Sequence, residues 1–242
     1  MRLFLQLLAL LIFIPTTQAQ LRVDPYDTNG DSEWAYLGVG VGLNLAAKLI
    51  GNRTPIFSDE EVGLLDFNRI LPIDRYSTRH FSHSAAVTSD RLLLAAFVSP
   101  FFLFLDKPAR DNGGDVGLVL FQGALINAGI VNLTKVLSRR ARPYNYNPDV
   151  PLEFKRTRNA RYSFPSGHVA TSAFFALSTA KIFNDLYPES NARPYVWAGM
   201  SLIPLAVSYG RMRGGRHFFT DVLVGFAVGT SVALLVPELH KD

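Results

Sequence analysis

Residues 217–237 read HFFTDVLVGFAVGTSVALLVP, a histidine and an aspartate four positions apart followed by a long apolar run. A bilayer-spanning helix needs about 20 mainly apolar residues, and the run 219–237 has that length. In a helix that includes both polar residues, their side chains project from one face. Asp221 can then accept the proton of one imidazole nitrogen and leave a lone pair on the other. The stretch predicts a membrane helix beside a nucleophilic His217, although the pair alone would also fit a helix surface.

Five further apolar runs precede this one along the chain. They are 34–50, 92–105, 116–134, 168–184 and 195–209. The run 92–105 can be extended backwards to residue 85, whereas 34–50 is weakened by its glycines, Asn44 and Lys48. Residues 51–90 mix charged with apolar residues, which predicts one or two short amphipathic helices on the domain or on the bilayer surface. We expect an all-α helical bundle of about five to six apolar transmembrane helices with an amphipathic N-terminal region. A soluble all-helical protein is the alternative.

The composition points in the same direction. Of the 242 residues, 18% are charged, against about 25% in an average soluble protein. The net charge is +4, and many cations lie in 135–161, which favours a phosphate or anionic head-group surface over a nucleic-acid patch. The chain has no cysteine, so disulfides, thiolate chemistry and cysteine-ligated metal sites are excluded.

The first 19 residues have the features of a targeting segment. Arg2 is followed by an apolar stretch from Leu3 to Ile14 and by small residues that include Thr17 and Ala19. This order is typical of a signal peptide, with cleavage expected after Ala19. An uncleaved anchor helix is the alternative. Residues 20–242 then form a single domain.

Two other segments carry residues suited to phosphate. Pro165-Ser166-Gly167-His168 precedes the run 168–184, and a helix N-terminus capped by serine presents free N–H groups to an anion. His168 at this position can act as a general acid. Lys135 ends the run 116–134, and Arg142-Pro143 follows seven residues after it. Each segment alone has an ordinary explanation, namely a capped helix start or cations flanking a membrane helix.

Arginine and glycine complete the third segment. Arg211 precedes His217 by six residues, and its planar guanidinium can bind phosphate oxygens in a bidentate manner. Gly214 and Gly215 between them allow a tight turn and the approach of an oxyanion. Further on, the spacing of Gly225 and Gly229 is either a close-packing motif of membrane helices or chance, since glycine is frequent in these runs.

In order, the segments give K-x6-R-P, P-S-G-H and R-x5-H-x3-D. This pattern resembles the type 2 phosphatidic acid phosphatase (PAP2) superfamily, which includes membrane lipid phosphate phosphatases, bacterial non-specific acid phosphatases and vanadium haloperoxidases. The resemblance covers about 92–237, and it departs from the pattern at Gly210, where serine is usual.

The resemblance implies a mechanism and a set of roles. His217 attacks phosphorus to form a phosphohistidine, Asp221 orients it, and His168 protonates the leaving group and later helps to activate water. The phosphate-binding residues it implies are Lys135, Arg142, Arg211, Ser166 and Gly167. It implies no metal and no other cofactor.

The apolar runs favour the membrane branch of this superfamily. The expected function is hydrolysis of a lipid phosphate or pyrophosphate, of the phosphatidic acid, phosphatidylglycerol phosphate, polyprenyl pyrophosphate or lipid A class. The expected partners are this substrate and the membrane, with no nucleic acid and no obligate protein partner. A soluble or peripheral periplasmic acid phosphatase and, less favoured, a vanadium haloperoxidase remain as alternatives, as does transfer to an acceptor other than water.

The orientation depends on the number of spans. In the family the site faces outward, so we expect a bacterial inner-membrane protein with a periplasmic site. After a cleaved signal peptide, six spans would put His217 on the cytoplasmic side. We therefore expect five spans, with 34–50 not crossing the bilayer, and Lys107 and Arg110 on the inside.

Overall fold

A computed structural model describes residues 25–241 and consists of helices and loops over that range. The segment 1–19, predicted to be a signal peptide, lies outside the described residues. Six long helices form the bundle. They are α1 (Ser32–Gly51), α2 (His83–Val98), α3 (Gly113–Ser138), α4 (Gly167–Leu186), α5 (Arg193–Arg213) and α6 (Phe219–Glu238). The expected all-α bundle is confirmed, and the run 92–105 is indeed part of a longer helical segment that begins at residue 83 and ends in a 3-10 helix, Ser99–Leu105.

The helices cross between two ends of the bundle in alternating directions. At one end, which we call the motif end, α3 and α5 finish and α2, α4 and α6 begin. Gly167 there lies against the Lys135 side chain. At the other end, the far end, the Tyr26 hydroxyl donates to Asp185 at 2.8 Å, and the amide of Asp27 donates to the carbonyl of His240 at 2.8 Å. The three predicted motifs therefore meet at one end of the bundle.

Helix α4 is the centre of the bundle and packs against α2, α3, α5 and α6. Most of its residues are buried, among them Ala173, Phe174, Leu177 and Ala180. A helix surrounded by other helices needs small side chains that let them approach, more than it needs lipid-facing leucines. This position accounts for the run of Ala, Ser and Thr that follows His168 in the sequence.

Two glycines bring α6 close to α4. A Cβ atom at Gly225 would lie 2.5 Å from the carbonyl oxygen of Ser166, and one at Gly229 would lie 2.1 Å from that of Ala170. No side chain fits at those distances, so the Gly225–Gly229 spacing is a close-packing contact and not chance. The same contact sets the position of Ser166, at the start of α4, relative to α6.

The outer surface of the bundle is apolar, as a membrane requires. Exposed large side chains include Trp34, Leu49, Leu94, Leu202 and Leu235. Four segments are long and apolar enough to span a bilayer: Ser32–Gly51, His83–Leu105, Gly113–Tyr146 and Phe219–Glu238. The chain is a multi-pass membrane protein.

Helix α1 packs on the bundle. It lies along α3 in the same direction, from Glu33 beside Gln122 at one end to Gly51 beside Val136 at the other. In between, the amide of Asn44 donates to the carbonyl of Leu125 at 2.9 Å. Helix α1 has the length of a span and runs beside a span, so its length and apolar composition allow it to cross the bilayer, and five spans stays a prediction. Gly40, one of the glycines that weaken the sequence signal, lies against Leu125 without room for a side chain and so permits this close packing.

A cap covers the motif end. It combines residues 52–82 with the loop between α3 and α4, and its apolar centre includes Phe57, Tyr144, Val150 and Ala160. The short helices of the first part are Asp59–Gly63, Phe67–Arg69, Pro72–Asp74 and Arg75–Thr78; those of the second are Pro143–Tyr146, Leu152–Lys155 and Arg158–Arg161. One or two short helices were expected in the first part, and it has four.

Candidate active site

His217 lies on the short connection between α5 and α6 and is buried. Its Nδ1 atom is 2.7 Å from the carbonyl oxygen of Ser163. Since a carbonyl oxygen can only accept, Nδ1 carries the proton and Nε2 holds the lone pair. Nε2 in turn lies 3.3 Å from Nη1 of Arg142. The imidazole thus presents an unprotonated nitrogen to a cation, which is the form that a nucleophile requires.

Asp221 is fully buried one helical turn from His217, but its nearest partners are other groups. Its Oδ2 atom is 3.7 Å from Nδ1 of His217, whereas it accepts from the Ser163 hydroxyl at 2.5 Å and from the amide of Phe218 at 2.8 Å. Oδ1 accepts from Arg140 at 2.6 Å. In this structure the carbonyl of Ser163 makes the direct hydrogen bond to the imidazole, and the Asp221 carboxylate is an adjacent negative charge.

The surroundings of His217 keep it neutral. Burial of the ring lowers its pKa well below the ordinary value, and the positive charges of Arg142, Lys135 and Arg211 lower this pKa further. A neutral imidazole among three cations is suited to an anionic ligand, whose charge the cations would balance. The lone pair on Nε2 is therefore available at neutral pH.

Two of the predicted phosphate ligands come from the segment around the end of α3. Lys135 donates from Nζ to the carbonyl of Tyr162 at 2.9 Å. The Arg142 guanidinium is buried, and both its Nε and Nη2 atoms are held by Asn159, at 2.8 Å each. Nη1 also donates to the carbonyl of Arg216 at 2.9 Å. Arg142 is thus fixed on three sides, with its Nη1 edge directed at His217.

Arg211 and His168 share a partner that the motifs did not predict. Asp90 of α2 has its Oδ1 atom 2.9 Å from Nε2 of His168 and 3.0 Å from Nη1 of Arg211. The Asp90 side chain is half exposed, whereas Arg211 is buried and its Nε has no partner among residues 25–241. A carboxylate oxygen that bridges a cation and an imidazole occupies a position where a phosphate oxygen would make the same two contacts.

Ser166 and Gly167 begin α4 as the sequence indicated, with one difference. Ser166 is the N-cap residue, yet its side chain makes no capping hydrogen bond, and its buried hydroxyl has no partner among the described residues. The first amides of a helix also lack intrahelical acceptors. Residues 166–168 therefore offer donors for an anion, with the free hydroxyl of Ser166 among them.

Gly215 and Gly210, in and beside the third motif, are required for different structural reasons. Gly215 has φ +64°, which favours glycine, and a Cβ atom there would lie 2.2 Å from the carbonyl oxygen of His80. The tight turn was expected, but the space it leaves is filled by the cap and not by an oxyanion. At Gly210, a Cβ atom would lie 2.9 Å from that of Ser89. The hydroxyl of Ser89 is 3.4 Å from Nη1 of Arg211, so α2 supplies a hydroxyl beside this arginine.

All eight predicted site residues meet at the motif end. The sequence did not single out Asp90, Ser163, Arg140 or Asp74, which complete the site from other elements. Asp90 had one usable signal, because an ionisable residue within a membrane helix is by default a functional candidate. Within the described range, no group of three or more His, Asp or Glu side chains is arranged to hold a metal ion.

The family model described as PAP2 superfamily matches residues 116–242, which is more than half of the chain. The chain belongs to the PAP2 superfamily. The match contains the three PAP2 motifs that carry Lys135, His168 and His217. It begins within α3, so α1, α2 and the 52–82 part of the cap lie outside it.

Two curated PAP2 relatives show how far the similarity extends. The chain is 31% identical over 144 residues to a lipid A 4'-phosphatase from Porphyromonas gingivalis, a match over 58% of this chain and 57% of the relative. It is 26% identical over 216 residues to an undecaprenyl-diphosphatase from Sulfolobus acidocaldarius, a match over 86% of this chain and 91% of the relative. The chain thus spans little more than half of the first relative and most of the second.

Among solved structures, a transmembrane PAP2-type phosphatidylglycerolphosphate phosphatase from Bacillus subtilis matches with a TM-score of 0.49 and 20% identity. The match covers 84% of this chain and 96% of that one.

Proposed function

We propose that the protein is a phosphatase that removes phosphate from a lipid phosphate or pyrophosphate through a phosphohistidine. The observation that carries this proposal is the buried, neutral His217, whose Nε2 faces Arg142 at 3.3 Å among three cations and the N-terminus of α4. The three PAP2 motifs and the names of both relatives, each a phosphatase acting on a lipid-linked phosphate, support it.

In the first step, the lone pair of His217 Nε2 attacks phosphorus while the bond to the leaving oxygen breaks. His168, as the imidazolium that carries a proton on both nitrogens, gives its Nε2 proton to that oxygen and becomes neutral. In this structure Asp90 accepts from the same nitrogen, so the substrate must displace Asp90 from it. Lys135, Arg142 and Arg211 neutralise the phosphoryl oxygens, with the Ser166 hydroxyl and the amide of Gly167 as further donors.

The phosphohistidine is released by water. His168 accepts a proton from water as its oxygen attacks phosphorus, and the N–P bond returns its electron pair to Nε2. During the lifetime of the intermediate the imidazole ring is positively charged, with its Nδ1 proton held by the Ser163 carbonyl. The carboxylate of Asp221, 3.7 Å away, stabilises that charge.

The surface of the bundle favours a lipid substrate over a soluble one. Apolar side chains cover the outside of the helices up to the motif end, where Phe219 and Leu223 of α6 are exposed near His217. An acyl or prenyl chain in the bilayer can therefore lie beside the bundle while its head group enters the site. The same surface argues against a soluble periplasmic acid phosphatase.

We propose that the protein resides in a bacterial inner membrane with its site facing the periplasm, as the resemblance implies. If all six long helices cross, this orientation puts Pro25 and Lys241 on the cytoplasmic side. Lys107 and Arg110 then also lie inside, in agreement with the positive-inside rule. With six crossing helices a periplasmic site and export of the residues before Pro25 exclude each other, whereas with five they are compatible.

The activity is tested by a phosphate-release screen over lipid phosphates and pyrophosphates in detergent. His217→Ala should lose nearly all release from the substrate that the wild type prefers, because positioning alone cannot replace the attacking atom. Glu60→Ala, an exposed change on the cap, is the matched control and should retain activity. If His217→Ala releases phosphate at the wild-type rate, the proposed mechanism is wrong.

A further inference from the structure

Arg140 links two buried carboxylates beside the site. Its Nη2 atom lies 2.8 Å from Oδ2 of Asp74, and its Nη1 atom lies 2.6 Å from Oδ1 of Asp221. Both carboxylates are fully buried. The guanidinium is also stacked on the ring of Phe218, 4.2 Å from its centre. Arg140 is therefore held in one position, between a residue of the cap and the residue beside His217.

Asp74 comes from a part of the chain that the family model does not cover. It belongs to the short helix Pro72–Asp74 of the cap, and it accepts from the amide of Thr220 at 2.9 Å and from its hydroxyl at 2.8 Å. Thr220 is in the first turn of α6, next to Asp221. The cap thus reaches across the motif end and holds the start of the helix that follows His217.

The charges of this group do not cancel. Arg140 and Asp221 alone would form a neutral pair, and the carboxylate would then have little effect on the imidazole. With Asp74, two carboxylates share one guanidinium, so the group keeps one net negative charge in a buried setting. The positive charge that forms on His217 when it carries phosphate is the charge that such a group would stabilise.

We propose that Asp74 and Arg140 are positioning residues for the reaction, and that Asp74 leaves one net negative charge at Asp221 to stabilise the phosphorylated His217. This inference rests on the proposed function. A purely structural alternative is that the group only attaches the cap to α6. The two interpretations differ because a change of charge affects turnover and anion binding in opposite directions, whereas a loosened site weakens both.

The test compares wild type with Asp74→Asn and with Asp74→Asn/Arg140→Gln. The single change removes one negative charge and brings the net charge of the group to zero, and the double change restores it to minus one. The introduced asparagine can still accept from Thr220, and the introduced glutamine can accept from the amide of that asparagine, so the double variant keeps hydrogen bonds in the group. Two quantities are measured in detergent: kcat for a lipid phosphate, and the affinity for tungstate, an inert phosphate analogue, by calorimetry.

We expect Asp74→Asn to lower kcat about tenfold, the size of effect that one buried unit charge has at this range, and to bind tungstate several-fold more tightly. The double variant should recover most of kcat and bind tungstate like the wild type. Glu33→Gln removes a buried carboxylate at the far end and is the matched control. It should change thermal stability without changing the ratio of these two quantities.

Weaker tungstate binding by Asp74→Asn, or a double variant no faster than the single one, would overturn the proposal. The measurement of tungstate affinity does not depend on enzymatic activity. If the wild type hydrolyses no phosphate ester, the proposed function fails, while equal tungstate affinity in all three proteins shows separately that the charge of Asp74 has no effect on the anion site.

Discussion

Asp90 of α2 contacts two of the predicted site residues, His168 and Arg211. It accepts from His168 and from Arg211 through one oxygen. In the proposed mechanism a phosphate ester takes over both contacts, so Asp90 would compete with the substrate for Arg211. It would also hold the proton on His168 Nε2 until the leaving oxygen arrives.

A leaving-group comparison tests the role of His168. His168→Ala should reduce hydrolysis of an alkyl phosphate by about 10²–10⁴-fold, the usual contribution of a general acid. It should reduce hydrolysis of 4-nitrophenyl phosphate far less, because nitrophenolate departs without a proton. Asp90→Asn should show the same preference with a smaller loss. The comparison uses kcat/KM, which reports the steps up to the phosphohistidine and not the later attack of water. Equal losses of kcat/KM on both esters would show that His168 does not protonate the leaving group.

For individual residues, the sequence predicted the members of the motifs and missed the residues that contact them from other parts of the chain. Local spacing places His217 and Asp221 on one face, and the structure has them 3.7 Å apart. Ser163, Asp74 and Asp90 reach the site from positions 54 to 146 residues away along the chain. No local pattern records such contacts, because they depend on how the helices pack.

At the scale of elements, the contact between α4 and α6 holds the second and third motifs together. Gly225 and Gly229 lie against the main chain of α4 without room for a side chain. The amide of Ser166 also donates to the carbonyl of Asp221 at 2.9 Å. The two helix starts that carry the histidines are thus joined directly.

Gly229→Ala should lower the free energy of unfolding in detergent by about 1–3 kcal/mol, because the methyl group must push α6 away from α4. Gly117→Ala is the control, since a Cβ atom at Gly117 in α3 meets nothing within 4 Å. It should be neutral or slightly stabilising, as alanine favours the helix. Similar unfolding temperatures for both variants would mean that the α4–α6 contact is not tight.

The elements show where sequence patterns fail. Hydropathy located all six helices, but it ranked α1 last because of glycines, Asn44 and Lys48. Gly40 is where Leu125 of α3 packs, and Asn44 is bonded to the α3 main chain. Two of the residues that lower the apolar score, Gly40 and Asn44, thus make contacts that hold α1 on α3. A hydropathy score cannot include these contacts, because they depend on the position of α3.

At the scale of the whole molecule, the bundle has two polar ends and an apolar side. The motif end collects the cations of the site and the cap, and the far end carries Lys107, Arg110, Arg193 and Lys241. The direction of α1 fixes Pro25 at the far end, so the orientation of the site follows from the side on which the N-terminal region remains.

The absence of cysteine in the sequence makes this orientation directly measurable. Glu60→Cys at the motif end and Glu189→Cys at the far end each place one exposed thiol. For a periplasmic site, a membrane-impermeant maleimide should label Glu60→Cys in intact cells and Glu189→Cys only after lysis. The reverse pattern would place the site in the cytoplasm and would agree with a cleaved signal peptide.

The contact between Gly210 and Ser89 has an evolutionary consequence. Serine is usual at the first of these positions in the superfamily, and here its space is taken by Ser89 of the facing helix. Either α2 or α5 can thus supply a hydroxyl beside Arg211, but the two helices are too close at this point for both to do so. A Cβ atom at 210 would also lie 3.0 Å from the carbonyl oxygen of Ala85, so a serine at 210 should be accompanied by glycine at 89 and by a small shift of α2. Arg211 can thus keep a neighbouring hydroxyl while the serine that carries it moves, in evolution, from one helix to the other.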